Sequence, residues 1–184
     1  MNTRLTWICH GATMASRKAL FPLDEPLEGK AAEEAGRMAA LPRADRVATS
    51  PALRARQTVD ALRLQARIDP ALRDCDHGRW AGRSIAAIEA EEPENLMAWM
   101  SDPEAAPHGG ESLLDLRTRV ADWMESESAL GGHVIAVSHA AVIRAAVAHV
   151  LQAPLSSFWL SDIEPLAVIR MTSNGRRWSL RFQH

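Results

Sequence analysis

The sequence predicts an α/β fold in three layers, with a mainly parallel central sheet flanked by helices and an antiparallel hairpin at the carboxyl-terminal end. Three observations predict it. Short β-rich runs alternate with helical stretches along the 184 residues, the pattern of parallel strands joined by crossover helices. One run, His133 to Ser138, is mostly apolar, as a strand buried on both faces requires. Two β-rich runs near the end, Leu166 to Thr172 and Trp178 to Phe182, flank the turn Ser173-Asn174-Gly175 and read as a hairpin.

In chain order, Arg4 to Cys9 is the first strand, apolar and β-branched, stopped by His10-Gly11 where the chain can turn tightly. A loop holding Pro22 and Pro26 leads to a helix from Gly29 to Leu41, rich in Ala, Glu and Met and closed by Pro42. Arg46 to Thr49 is a short strand. Ser50 as N-cap and Pro51 at the first helical position then start a helix that runs to about Gln65. Arg67 to Asp69 is a brief strand before Pro70, and Asp74 to Gly82 is a loop. Helices from Ser84 to Glu91 and Pro93 to Met100, with a Gly/Pro-rich turn at Pro107 to Gly110, make a helical insertion at about residues 84–110. A longer helix, Glu111 to Glu127, precedes the buried strand, and Ala140 to Leu151 is the last helix. With no repeat or low-complexity linker, residues 1–184 are expected to form one domain.

The composition, 47% hydrophobic and 24% charged, suffices for one well-buried core. A net charge of -2 and a pI near 6.4 give no broad attraction for nucleic acid or anionic lipid, so a small-molecule partner is expected. Cys9 and Cys75 match neither a disulfide framework nor a CxxC pattern and are expected to be free thiols in a reducing compartment. The amino terminus lacks a signal-peptide h-region and no apolar run is long enough to span a bilayer, so the expected location is cytoplasmic. Oligomeric state is not legible.

His10, Arg54 and His139 share one design: an apolar strand ends, a polar residue follows, and a helix or turn begins within a few residues. In a parallel sheet such positions gather outside the carboxyl ends of the strands, where helix N-termini add N–H donors for an anion. Phosphate suits two imidazoles and a guanidinium, because arginine offers a planar fork of donors.

These residues also carry a resemblance to the histidine phosphatase superfamily, the phosphoglycerate-mutase-like family. Its opening Arg-His-Gly-x-Thr stands here as Cys9-His10-Gly11-Ala12-Thr13. Its second segment is similar to Ser50-Pro51-Ala52-Leu53-Arg54-Ala55-Arg56-Gln57-Thr58. Its acid segment, Leu-x-Glu-x-Asp-Phe-Gly-x-Trp-Glu-Gly, resembles Leu72 to Gly82, with Asp74 in place of glutamate and His77 in place of an aromatic. Gly109-Gly110-Glu111-Ser112 and Val137-Ser138-His139, followed by Val142-Ile143-Arg144, match the last two segments. The resemblance implies hydrolysis of a small phosphorylated metabolite, without metal or other cofactor. His10 would be the nucleophile. Asp74, with a raised pKa, would be the proton donor, and Arg54, His139, Gly11, Thr13 and Ala140 would surround the phosphate. Length and insertion are most similar to the α-ribazole phosphatase group.

Cys9 is the departure. A thiol has neither the charge nor the fork of the family's arginine, and losing one donor to developing charge costs about a hundredfold to a thousandfold in rate. Arg17 or Lys18, just after the motif, are candidates to reach back, and His77 is a candidate pocket residue. Two other readings stay open: a weakened or inactive phospho-ligand-binding module of the same fold, and a phosphoglycerate mutase. Cys9 admits a redox reading, since a thiol beside a cationic pocket can have a lowered pKa. Asp76 competes with Asp74 as the acid. Glu111 and Ser112 are candidate helix caps, Arg56 is read as solvated, and the tryptophans as packing.

Overall fold

The structure, a computed structural model, describes residues 2–38 and 41–182. Its elements in chain order are β1 (Thr3–Cys9), α1 (Met14–Lys18), α2 (Gly29–Gly36), β2 (Arg46–Thr49), α3 (Leu53–Ala61), β3 (Arg67–Ile68), α4 (Ile85–Glu91), α5 (Pro93–Ser101), α6 (Leu113–Leu130), β4 (Gly132–Ser138), α7 (Ala140–Val150), β5 (Val168–Ser173) and β6 (Trp178–Arg181). Short 3-10 turns occupy Pro70–Leu72, Gly78–Trp80 and Leu155–Leu160. The strands form one sheet in the order β3-β2-β4-β1-β5-β6. Its first four strands are parallel, and β5 and β6 are antiparallel. The mainly parallel sheet and terminal hairpin are therefore as the sequence predicts. Among the described residues no helix is long and apolar enough to cross a membrane.

Alternation along the strands builds the two outer layers. Leu5, Trp7 and Cys9 of β1 and Val134 and Ala136 of β4 share a core with Leu116, Val120 and Met124 of α6 and Val142, Ile143 and Ala146 of α7. The intervening Ile8, Ile135 and Val137 pack instead with Ala55 and Val59 of α3. A third cluster, Phe21, Trp80, Ile88, Leu96 and Trp99, joins the first loop to α4 and α5. Glu92 pins the junction of those two helices, accepting from Trp80 Nε1 at 3.0 Å and from Arg79 and Arg83.

Several boundaries differ from the sequence reading. Thr13 N-caps an unforeseen short helix, α1, through a capping box with Ser16. The helix expected from Gly29 to Leu41 ends at Gly36; residues 39–40 lie outside the described residues. The helix expected to start at Pro51 starts at Leu53, because the Ser50 hydroxyl, which accepts from the Ala52 amide at 3.2 Å, is turned toward the sheet. It ends at Ala61 rather than near Gln65. In α6, Ser112 is the N-cap with Asp115 completing the box, whereas Glu111 pairs with Arg119 at 2.6 Å instead of capping.

The register determines where a site can form. Cys9 of β1 sits opposite Ser138 of β4, and Thr49 of β2 opposite Val137. The carboxyl ends of three adjacent parallel strands thus end level, and the next residues are His10, Ser50 and His139.

Candidate active site

His10 leaves β1 with its amide donating to Ser138 O at 2.9 Å. Its ring Nδ1 lies 2.7 Å from the Gly11 carbonyl, which can only accept, so Nδ1 carries the proton and Nε2 keeps the lone pair. Arg54, in the first turn of α3, donates Nε to His10 Nε2 at 3.3 Å, Nη1 to Leu23 O at 2.7 Å and Nη2 to Asp74 Oδ2 at 2.7 Å. Each of its three nitrogens thus makes one contact, and the residue is 3% exposed. His139, the N-cap residue of α7, places Nε2 2.7 Å from Ser50 Oγ and Nδ1 3.3 Å from Asp74 Oδ2. The His10 and His139 rings meet edge to face with centroids 5.1 Å apart. One carboxylate oxygen of Asp74 therefore joins Arg54 to His139, and both imidazoles flank the result.

Burial and neighbouring charge tune this cluster. Burial lowers the His10 imidazole and the Arg54 charge lowers it further, so the ring is neutral and its Nε2 nucleophilic at neutral pH. Burial pushes His139 down to about 3, although Asp74 opposes the shift. Burial alone would raise the Asp74 carboxyl, but His139 and Arg54 outweigh it and hold the acid well below the usual carboxylate range. The raised pKa expected for Asp74 is thus not found; its carboxyl is lowered instead. The reason is geometric: Asp74 is the direct partner of a buried guanidinium.

Position 9 also departs from expectation. Burial and the charge of Asp74 push the Cys9 thiol up to about 12, so it is neutral, and the low-pKa redox reading does not hold. Neither Arg17 nor Lys18 reaches the gap. Arg17 is exposed and paired with Glu28, Lys18 is exposed, and neither lines the cleft. Gly11 and Thr13 are likewise turned away from a phosphate position. The Gly11 amide donates to Thr58 Oγ1 at 3.0 Å, and the Thr13 hydroxyl accepts from Ser16 N and donates to Glu25. Ala140 does face the cleft, with its amide directed at the Cys9 sulfur.

The two candidate acids are resolved by their partners. Asp76 accepts from the Gly78 amide at 2.9 Å and serves a turn. Gly78 has φ +47°, and a Cβ there would stand 2.2 Å from His108 O, so this turn can lie against the 107–110 segment only with glycine. Arg119 fastens the acid segment by donating to Ala71 O at 2.7 Å and Arg73 O at 3.0 Å. Ser50 and Thr58 were missed as site-building residues. Both stand inside the matched motif, and only the fold shows that Ser50 orients His139 and that Thr58 ties Gly11 to α3.

His10 and Asp74 of the polar cluster floor a cleft of about 540 Å³, and Arg54 and His139 are bonded to them from behind. Its walls are largely apolar: Phe21, Leu96, Trp99, Met100, Phe158 and Trp159. His77 is on this wall as expected, 4.8 Å from the Phe21 ring, with a buried Nδ1 that has no hydrogen-bond partner among the described residues. A polar floor beneath an apolar wall can receive a polar group joined to an apolar one.

The model of the histidine phosphatase superfamily (branch 1) matches residues 5–183. Among curated proteins, glucosyl-3-phosphoglycerate phosphatase of Mycobacterium tuberculosis is 36% identical over 105 residues, covering 52% of this chain and 47% of that protein. A bifunctional protein of the same species is 30% identical over 154 residues, covering 77% of this chain and 42% of the relative. The chain thus spans about half the length of the curated relatives it matches. Among solved structures, a putative α-ribazole-5'-P phosphatase from Escherichia coli superposes with a TM-score of 0.85 at 25% identity, covering 97% of this chain and 94% of that one. Mycobacterial glucosyl-3-phosphoglycerate phosphatase superposes with a TM-score of 0.80 at 25% identity, over 98% and 97%.

Proposed function

The chain belongs to the histidine phosphatase superfamily, and we propose that it hydrolyses a small phosphomonoester with an apolar or aromatic leaving group through a phosphohistidine on His10. The observation that carries the reading is the convergence of His10, Arg54, Asp74 and His139 at the level ends of β1, β2 and β4. In the first step His10 Nε2 attacks phosphorus. The N–P bond forms as the ester P–O bond breaks, and the departing alkoxide takes a proton from Asp74. In the second step water attacks the phosphohistidine, its proton goes to Asp74, and the N–P bond breaks to release inorganic phosphate.

Asp74 must gain a proton before the first step, and substrate binding provides the cause. A phosphoryl group against Arg54 and His139 draws on the charge that otherwise holds Asp74 ionised, and places like charge beside it, so the carboxyl pKa rises. Phosphomonoesters have a second pKa of about 6, so a monoanionic substrate carries the proton in.

The aromatic wall favours a leaving group of the kind an α-ribazole phosphate carries over phosphoglycerate, which has no apolar surface to bury. The Escherichia coli protein that superposes on this chain is a putative α-ribazole-5'-P phosphatase. The weakened-module reading rests on one observation, the neutral thiol at position 9. A single experiment separates the two. Rapid quenching with labelled phenyl phosphate should trap an acid-labile, alkali-stable phosphoryl group on wild type and none on His10→Ala. Equal background release of phosphate by both proteins would remove the enzyme reading.

A further inference from the structure

We propose that Arg144, on the second turn of α7, is the phosphoryl-binding cation that the first motif lacks at Cys9. The proposal rests on the phosphatase reading of the site. Arg144 and Ala140 are four residues apart and lie on one face of α7. Both line the same cleft as Cys9, His10 and Asp74. Cys9 packs in the core that Val142 and Ile143 of α7 share, so α7 and Arg144 stand on the Cys9 face of the sheet. Arg54 enters from α3, on the opposite face of the sheet, so two arginines would bracket one phosphate-sized space.

What holds Arg144 is as informative as where it lies. Its Nε is buried and has no hydrogen-bond partner among the described residues, a costly state for a charged donor. The guanidinium packs over Phe158, 5.8 Å from the ring centroid, which fixes its plane without using its N–H groups. Among the described residues its ion-pair partner is Asp162, 3.4 Å from Nη2 and 90% exposed, a pair worth little in water. A stacked, half-desolvated guanidinium with donors to spare is suited to an oxyanion. Arg54 differs in having every arm of its fork committed.

The Cys9 side chain is short and neutral, and accepts the Ala140 amide, so position 9 itself brings no cation to the cleft.

The test uses Arg144→Gln and Arg144→Lys in the full chain, with two readouts. The first is kcat/KM on phenyl phosphate and on 4-carboxyphenyl phosphate. The second is direct calorimetric titration with inorganic phosphate. Arg144→Gln should lower kcat/KM about a hundredfold on both esters and weaken phosphate binding at least tenfold, while Arg144→Lys, which keeps the charge, recovers part of both. Wild-type phosphate affinity in Arg144→Gln would overturn the proposal. So would a loss confined to the carboxylate ester, which would make Arg144 a reader of the leaving group. If Arg144→Gln does not fold, a weakened phosphate affinity in folded Arg144→Lys supports the proposal and an unchanged affinity overturns it. Should wild type release no phosphate from either ester, the phosphatase reading fails, and the phosphate titration still decides the role of Arg144.

Discussion

The floor and the wall of the cleft are built on opposite principles. On the floor, His10, Arg54 and His139 come from the ends of strands or the first turn of a helix and Asp74 from the loop after the Pro70–Leu72 turn, and each polar group is held by a hydrogen bond or ion pair of 2.7–3.3 Å. On the wall, Phe21, Trp99 and Trp159 come from separate segments and are held by ring contacts with one another and with the buried Trp80 behind them, with centroids 4.7 to 5.7 Å apart. A directional network keeps reacting atoms in place and tolerates little change. Aromatic packing gives area and shape, and tolerates repacking. The difference predicts that floor substitutions act on the chemical step whatever the leaving group, whereas wall substitutions select among leaving groups.

The largest effect should come from the hub of the floor. Asp74→Asn removes the proton donor while leaving an amide of the same shape near Arg54, and general acid catalysis contributes about a hundredfold to ten-thousandfold. With phenyl phosphate, a poor leaving group, kcat should fall by that order. With 4-nitrophenyl phosphate, whose leaving group needs little protonation, the loss should shrink to about tenfold. Steady-state kinetics on the two esters check this, and equal losses on both would mean that Asp74 only positions Arg54 and His139.

A smaller and more selective effect is expected from the wall. Trp99 is 6% exposed and stacks with Trp80, Trp159 and Phe21, so Trp99→Ala should destabilise the chain by about 3 kcal/mol. At temperatures where the variant stays folded, kcat/KM for phenyl phosphate should drop about tenfold, equivalent to about 1.4 kcal/mol. Inorganic phosphate, which touches only the floor, should bind as in wild type. Weaker phosphate binding in Trp99→Ala would show that wall and floor are coupled.

The same contrast explains what the sequence revealed. The floor was legible because its residues sit at fixed offsets within strand-to-helix junctions, and those offsets are set by the chain's own geometry. His10 and His139 follow β1 and β4 directly, and Arg54 is four residues beyond Ser50. The parallel sheet was legible for a related reason: β4 is apolar on both faces and the terminal hairpin carries its turn residues. The wall was not legible. Phe21, Trp99 and Trp159 lie in three segments with no shared period, so each reads alone as packing. Arg144 carried a readable signal, the four-residue spacing from Ala140, but Arg17 and Lys18 were nearer in sequence to the motif. Proximity along the chain misled there, since α1 turns both side chains outward.

The smallest effect is one of stability, and it too separates the two regions. Burial holds His108, on the wall side of the cleft, down to about 4 and His139, on the floor, down to about 3. The unfolded chain takes up a proton at each site as pH falls below about 6.5, whereas the folded chain does so only near those lower values. Between these limits the unfolded state binds more protons, so stability is greatest above pH 6.5 and declines as the solution is acidified. Each histidine should cost about 1–2 kcal/mol by pH 5, readable as a falling urea midpoint between pH 7.5 and pH 5. His108→Gln should flatten that decline while leaving phosphate binding at pH 7.5 unchanged. On further acidification the wall protonates first, so tryptophan fluorescence should change at a higher pH than the one at which the His10–Arg54–His139 floor loses phosphate. A stability profile that is flat from pH 7.5 to pH 5 would mean that both imidazoles take up protons in the folded state as readily as in the unfolded one, and that neither wall nor floor is as dry as its burial indicates.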